Sequence, residues 1–357
     1  MSLLDHDCIT EAHLVLDQDT WHGFPSKRQY MPQGTPGGYS TVENVHDGQR
    51  KLLMSEIQFL SRVHASKGVN SVDTEGRVSL TPFLCVYTGA CHGIHIVDLI
   101  DMFPNVYFIL IDPGFADPRN AGLRRLWDSK RVAVCPTWFD NDTMHAITDW
   151  VENRLPNGTI PDHRVLAHLD LLELSQTEVT FDNLLFISDI RSHAKDETYI
   201  AEEMRQQKDW FRGLNAFAGL LKFRLPYATP AWIAKSGKDG VYNYLAGTLY
   251  LPLYGPRSTT ECRLYVERGC QEKDYHPLQH EHFMAGFNSH NRKQTYNYKV
   301  YDKKRDEWTL VNFVSFDLAA EAIVMHNYRQ CMRYYGLSVN PAYTGNHLIR
   351  KYHRLSI

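Results

Sequence analysis

The stretch FLCVYTGACHGIHIVDLIDMF, residues 83–103, limits this chain to a narrow group of folds. Its opening run is too uniformly apolar for a strand with one wet face and reads as a strand buried on both sides. Gly89 and Gly93 interrupt it, and a helical pattern follows. Gly89 suits a tight turn and Gly93 lets the helix begin close to a ligand, the form that brings backbone against a nucleotide-like molecule. Further apolar runs recur at NVYFILIDPGF, RVAVCPTWF, NLLFISDI and LKFRLPY, with helical segments between several of them. Strands alternating with helices predict an α/β fold with a mostly parallel sheet and helices on both faces.

Residues 1–44 are polar and turn-rich and read as an arm lying over a domain. Leu52, Leu53, Ile57, Leu60 and Val63 then recur at helical spacing. A single domain is expected over residues 45–335, with residues 151–182 as an insertion and residues 336–357 as a mildly basic tail. Late in the chain, TLYLPLYGP and CRLYVER read as strands and FDLAAEAIVMHNYRQCMRYYG as a helix.

A net charge of −3 gives no global signature for nucleic acid, although a local groove can still bind RNA. The seven cysteines include no CxxC pair, and several lie in apolar runs, which points to a reducing compartment. No apolar run approaches the roughly 20 residues needed to span a bilayer, and the amino terminus is too acidic for a signal peptide. An intracellular, soluble protein is expected. No Cys/His spacing argues for zinc, and His280, Glu281 and His282 read as surface polar residues rather than metal ligands.

Asp112 ends the second strand about 20 residues after the glycine turn, where an acid can accept hydrogen bonds from both ribose hydroxyls. Dinucleotide and S-adenosylmethionine enzymes share that arrangement, but the GxGxxG spacing of nicotinamide enzymes is absent. Asp140, after the third strand, suits an adenine amino group, and Phe139 suits its face. The blander reading makes Asp112 a helix cap. Four further polar residues sit at the edges of core segments: Lys51, Asp189, Lys222 and Glu261. Taken singly they are a solvated helix lysine, a strand-end cap and an ordinary ion pair; together they can form one buried polar site.

DGQRKLLMSEIQFLS, VYTGACHGIHIVDL, FILIDPGFADP with NAGLR, NLLFISDIRS, LKFRLPY and STTECRLY occur in the order of one family. Over roughly residues 47–287 the chain resembles the poxvirus-type mRNA cap-specific nucleoside 2′-O-methyltransferases, with relatives in giant viruses and kinetoplastids. The resemblance implies a Rossmann-like, S-adenosylmethionine-dependent methyltransferase fold and a catalytic tetrad of Lys51, Asp189, Lys222 and Glu261. It implies a cofactor site of Gln49, Tyr87, Gly89, Ala90, Gly93, His95, Asp112, Phe139 and Asp140. It also implies cap binding through Tyr227, Glu281 and an aromatic of the arm, Tyr30 ahead of Tyr39. Two positions depart from the family: His92 stands where proline is usual, and Ala228 and Thr229 replace a second acidic cap contact.

The chemistry suits these residue types. A ribose hydroxyl must lose its proton while attacking a sulfonium methyl. A lysine accepts that proton when burial and a second cation favour its neutral form, and carboxylates oppose this. Lys222 is therefore expected as general base or steering group, oriented by Asp189 and Glu261, with Lys51 stabilising the developing alkoxide. The expected partner is capped mRNA together with other mRNA-processing proteins, in the nucleus for a cellular enzyme and in the cytoplasm for a viral one. Alternatives are a non-catalytic RNA-binding or processivity subunit, the second job of the poxvirus relative, and a ribose methyltransferase for structured RNA.

Overall fold

The uniformly apolar runs become the inner strands of one eight-stranded sheet. The computed structural model describes residues 14–16, 48–72, 74, 78–117, 129–152, 164–191, 197–227, 229, 232, 234, 240–256, 258–302 and 307–336. In chain order these form β1 (Val15–Leu16), α1 (Gly48–Lys67), β2 (Val69–Val72), β3 (Val78–Leu80), β4 (Phe83–Thr88), α2 (Ile96–Met102), β5 (Val106–Ile111) and β6 (Val132–Cys135). Next come α3 (Asn141–Val151), α4 (Arg164–Leu169), β7 (Leu184–Ser188), α5 (Glu197–Gly213), β8 (Ala218–Phe223), β9 (Tyr242–Leu245), β10 (Thr248–Tyr250) and β11 (Cys262–Glu267). The remainder is β12 (Glu272–Tyr275), α6 (Pro277–Ser289), β13 (Thr295–Asp302), β14 (Glu307–Ser315) and α7 (Phe316–Tyr334).

The sheet runs β6-β5-β4-β7-β8-β11-β10-β1. Neighbours from β6 to β8 are parallel, and β11 is antiparallel to both β8 and β10. This is the Rossmann-like α/β architecture expected from the sequence. It departs from the dinucleotide-binding order in the reversed strand β11 inserted between β8 and β10, and in β1 added at the edge. Every residue of β4, β7 and β8 is buried, as parallel strands covered on both faces require. Right-handed crossovers leave β4 toward β5 and β7 toward β8 in opposite directions, so α2 and α5 cover opposite faces. α1 packs on α2 and α7, while α3 packs on α4 and α5, giving one group for each face.

The stretch 151–182, expected as an insertion, supplies α4 and buries Val165, Leu166 and Leu169 in the main core. From the arm, Leu14 and Leu16 are buried and β1 extends the sheet edge against β10. The tail lies outside the described residues. Among the described residues no helix is long and apolar enough to cross a membrane.

One buried ion pair fixes the start of α1, and so the Lys51 position. Arg50 pairs with Glu321 of α7, and both side chains are almost wholly buried. Arg50 also donates to the Tyr254 hydroxyl at 2.9 Å and lies over its ring, 3.8 Å from the centroid. Removing one partner of such a pair strands the other charge. Glu321→Ala is expected to lower stability by about 3–5 kcal/mol, and Arg50→Met with Glu321→Leu to recover most of that loss. Urea denaturation of the two variants measures both.

Candidate active site

The sheet changes direction between β4 and β7: the chain moves to one side after β4 and resumes on the other at β7. At such a point two neighbouring loops part at the carboxyl ends of the strands and leave a crevice. Gly89 stands there with φ +74°, and a Cβ would lie 2.7 Å from the backbone of Asp189 and Ile190. Only glycine lets the turn after β4 pass so close to the chain leaving β7.

The four polar residues singled out in the sequence meet at this end of the sheet. Lys51 Nζ donates to Glu261 Oε1 at 2.7 Å. Lys222 Nζ lies 2.9 Å from Asp189 Oδ1 and 3.6 Å from Glu261 Oε2. A fifth residue, missed in the sequence, completes the cluster. Arg263 faces Lys222 across the β8–β11 pair, and its Nη2 donates to Asp189 Oδ1 at 2.6 Å while Nη1 donates to Glu261 Oε1 at 2.9 Å. Two cations directly opposite one another repel; here both carboxylates lie between them. Lys222 is 9% and Arg263 6% exposed. Gln207 of α5 holds the Lys222 backbone, accepting from its N–H at 3.2 Å.

Burial raises a carboxyl pKa, yet the cations outweigh it. Lys222 and then Arg263 hold Asp189 below the usual carboxylate range. Lys222, Lys51 and Arg263 hold Glu261 well below it. Burial pulls the Lys51 ammonium down; Glu261 opposes this, and Arg263 adds to it.

A cavity of about 470 Å³ opens beside the cluster, lined by Asp189 and Lys222 at one end. Gly89, Cys91, Asp112, Phe139 and Trp210 are among its other walls, with Trp138 at 68% exposure. Its size suits a nucleoside-sized ligand. Asp112 caps a short 3-10 turn by accepting from Gly114 N–H at 2.7 Å, and its other oxygen accepts from Cys91 N–H at 3.2 Å. The cap reading is therefore realised, and the same carboxylate faces the cavity. Phe139 packs on Phe186 and, edge-on, on Trp210.

The other residues assigned to the cofactor lie elsewhere. Asp140 caps α3, accepting from the Thr143 N–H at 2.8 Å and hydroxyl at 2.7 Å. It lines an adjoining cavity of about 400 Å³ that shares Phe139, Gln206 and Trp210 with the first. Tyr87, Ala90, Gly93 and His95 are buried. Tyr87 donates to Glu56 at 2.6 Å, and His95 lies between Gln49 at 2.8 Å and Glu56 at 2.9 Å. Through Glu56 and Gln49 of α1, Tyr87 and His95 tie the segment around the glycine turn to that helix.

Of the cap-binding residues, Tyr30 and its reserve Tyr39 lie outside the described residues, as does Ala228. Tyr227 is half-buried: the Arg224 guanidinium lies over its ring at 4.1 Å, and Glu197 accepts from its N–H at 2.7 Å. Glu281 is buried in α6, as is His280, so these two are not the surface residues expected. The reason is that α6 packs this face on the sheet: His280 meets Phe223 edge-on and faces the Thr260 carbonyl at 2.8 Å. Burial pushes the His280 pKa down to about 4, so the neutral ring donates through Nε2. Among the described residues no group of His, Cys, Asp and Glu is arranged to hold a metal ion.

Arg263, Arg191, Trp138 and Trp210 went unassigned in the sequence. One signal was available for the arginines. DIR, KFR and ECR each place an arginine two positions after a tetrad residue, the spacing that repeats a side in extended chain.

Among known proteins, a family model described as poly A polymerase regulatory subunit matches residues 39–157, a third of the chain. No curated protein matches by sequence. Solved structures with some likeness include human methyltransferase-like protein 13 in complex with SAH, at 11% identity and a TM-score of 0.31 over 68% of this chain and 91% of that one. The mitomycin 7-O-methyltransferase MmcR follows at 13% and 0.28, over 61% of this chain and 54% of that one. A sugar N-methyltransferase, KedS8 from Streptoalloteichus, stands at 11% and 0.23, over 80% of this chain and 100% of that one. Likeness at this level adds nothing to what the strand order shows.

The depressed carboxyl groups make a pH-dependent contribution. Their stabilisation is complete above the unfolded values near about 4 and is lost as pH falls through the lower folded values. The stability lost in Glu261→Gln is expected to be about 3 kcal/mol at neutral pH and to shrink steadily once the pH drops below about 4. Urea titrations of wild type and variant across pH measure this; a gap that stays constant to pH 2 would show that the cluster does not stabilise the ionised form.

Proposed function

We propose that this protein transfers a methyl group from S-adenosylmethionine to the ribose 2′-hydroxyl of a cap-proximal, first-transcribed nucleotide, producing cap 1. The observation that carries the reading is that Lys222 and Asp189 line the same cavity as Asp112, Phe139 and the glycine turn. Acid, aromatic wall and backbone turn fit the nucleoside part of the cofactor, and the lysine end fits the acceptor. When bound, the cofactor supplies the activated methyl.

The chain's own residues do the rest. Lys222 Nζ, held by Asp189 and Glu261, orients the acceptor hydroxyl and takes or steers its proton. Lys222, Arg263 and Lys51 hold both carboxyl groups below the usual carboxylate range, which makes them weak competitors for that proton. Lys51 and Arg263, the other two basic groups of the cluster, place positive potential beside a developing alkoxide. Tyr227 offers a ring for a methylated, positively charged guanine, which stacks on aromatic faces more strongly than a neutral base.

A second reading, a regulatory subunit in mRNA 3′-end formation, draws on the family model matched by residues 39–157. Incubation with labelled S-adenosylmethionine and short RNAs separates the two. Transfer is expected to RNA with an N7-methylated cap, with little to uncapped RNA. Equal transfer to uncapped RNA removes cap recognition, and none to any RNA favours the regulatory reading. Lys222→Ala is expected to lower transfer by about 100-fold or more while cofactor affinity stays within a few-fold. Near-normal turnover of that variant would remove Lys222 from its role.

A further inference from the structure

Arg191, Arg224 and Arg263 follow Asp189, Lys222 and Glu261 at the same two-residue interval, but the fold uses them differently. Arg263 lies within the antiparallel strand β11 and bridges the two carboxylates from inside the sheet. Arg191 and Arg224 lie beyond the carboxyl ends of the parallel strands β7 and β8, on the side of the crevice. Arg224 is engaged: Glu197 accepts from Nη1 at 3.1 Å and Nη2 at 3.0 Å, and Tyr227 covers the guanidinium.

Arg191 is engaged on one corner only. Its Nη1 donates to Glu203 Oε2 at 3.1 Å, while Nε and Nη2 have no partner among the described residues. Its side chain is 9% exposed, and it lines the same cavity as Asp189 and Lys222. Buried donors without partners are rare in native proteins and call for an explanation, since leaving them unpaired is costly. The two idle nitrogens are not an arbitrary pair. Nε and Nη2 share the side edge of a guanidinium, which presents two parallel N–H groups to a carboxylate or phosphate.

We propose that Arg191 is an oxyanion seat at the acceptor end of the cavity, its side edge taking two oxygens of one anionic group. This rests on the reading of the cavity as a methyl-transfer site. Two sources supply such a group there: a phosphodiester next to the acceptor ribose, and the α-carboxylate of the cofactor. The surroundings favour the phosphodiester. Glu261 and Arg263 of the polar cluster act on Arg191 together with Glu203 and Arg224, whereas Asp112 and the aromatic wall stand with the cofactor's nucleoside.

Arg191→Met removes the donors and keeps the bulk. Glu203→Gln added to it avoids a stranded carboxylate, and Arg191→Lys keeps the charge without the side edge. Thermal unfolding identifies the variants that fold. Three ligands are titrated by anisotropy or calorimetry: short capped RNA across a salt series, the same RNA with a methylphosphonate flanking the acceptor nucleotide, and S-adenosylhomocysteine beside its decarboxylated analogue. For a phosphodiester seat, Arg191→Met weakens RNA binding about tenfold and lowers the salt slope by about one. The methylphosphonate then costs the variant nothing further, Arg191→Lys keeps the slope, and S-adenosylhomocysteine binding changes less than threefold. For a carboxylate seat, only S-adenosylhomocysteine binding falls, and the preference over its decarboxylated analogue disappears. If folded variants bind RNA and S-adenosylhomocysteine within twofold of wild type, the seat is overturned. Wild type that binds RNA yet methylates none would instead overturn the methyl-transfer reading, leaving these binding comparisons intact.

Discussion

Arg263 joins Asp189 to Glu261, and the arrangement of the buried polar cluster depends on that bridge. Without it, Lys222 would face a cross-strand neighbour of no use to it, and the two carboxylates would repel across a poorly solvated gap. Lys222 and Arg263 together keep Asp189 and Glu261 ionised despite burial, and both carboxylates stand close to Lys222. The antiparallel direction of β11 makes this geometry available. A reversed strand next to β8 lets Glu261 stand at the carboxyl edge while Arg263, two residues on, sits deeper in the sheet.

Two other buried polar networks serve the same crevice from a distance. Arg50, Glu321 and Tyr254 lock the first turn of α1, which carries Lys51. Glu56, His95, Gln49 and Tyr87 tie α1 to the turn after β4. Buried charges of this kind cost stability unless their partners are held in place. Here the partners belong to elements far apart in sequence, so the crevice keeps its shape only when the whole domain is folded.

The parallel core was legible in the sequence because its strands are apolar on both faces, a pattern that few other contexts produce. The four polar residues were legible for a different reason. Taken singly each had an ordinary explanation, and it was their joint occurrence in segments resembling one family that singled them out. The small pairs β2–β3, β9–β12 and β13–β14 carry no comparable pattern, since short peripheral strands have no uniform burial to impose one. His280 and Glu281 misled for a related reason: three polar residues in a row suggest a surface, and only the docking of α6 shows that two of them face inward.

Four of the side chains that gather at the crevice were singled out by resemblance to a family, while the chain's own order of apolar runs and glycines determined an α/β sheet and a crevice after β4. That information is local, written in periodicity and in breaks of periodicity. Which cofactor-end residues line the cavity and which brace it from behind was a tertiary matter. Asp112 faces inward while Tyr87 and His95 turn to Glu56, and all three lie close to the same turn. Arg263 as the bridge, and Arg191 with its side edge idle, likewise depended on pairings between strands that sequence spacing alone does not specify. Hydrogen-bond partners are chosen by distances in space, and a chain declares its neighbours only along its length.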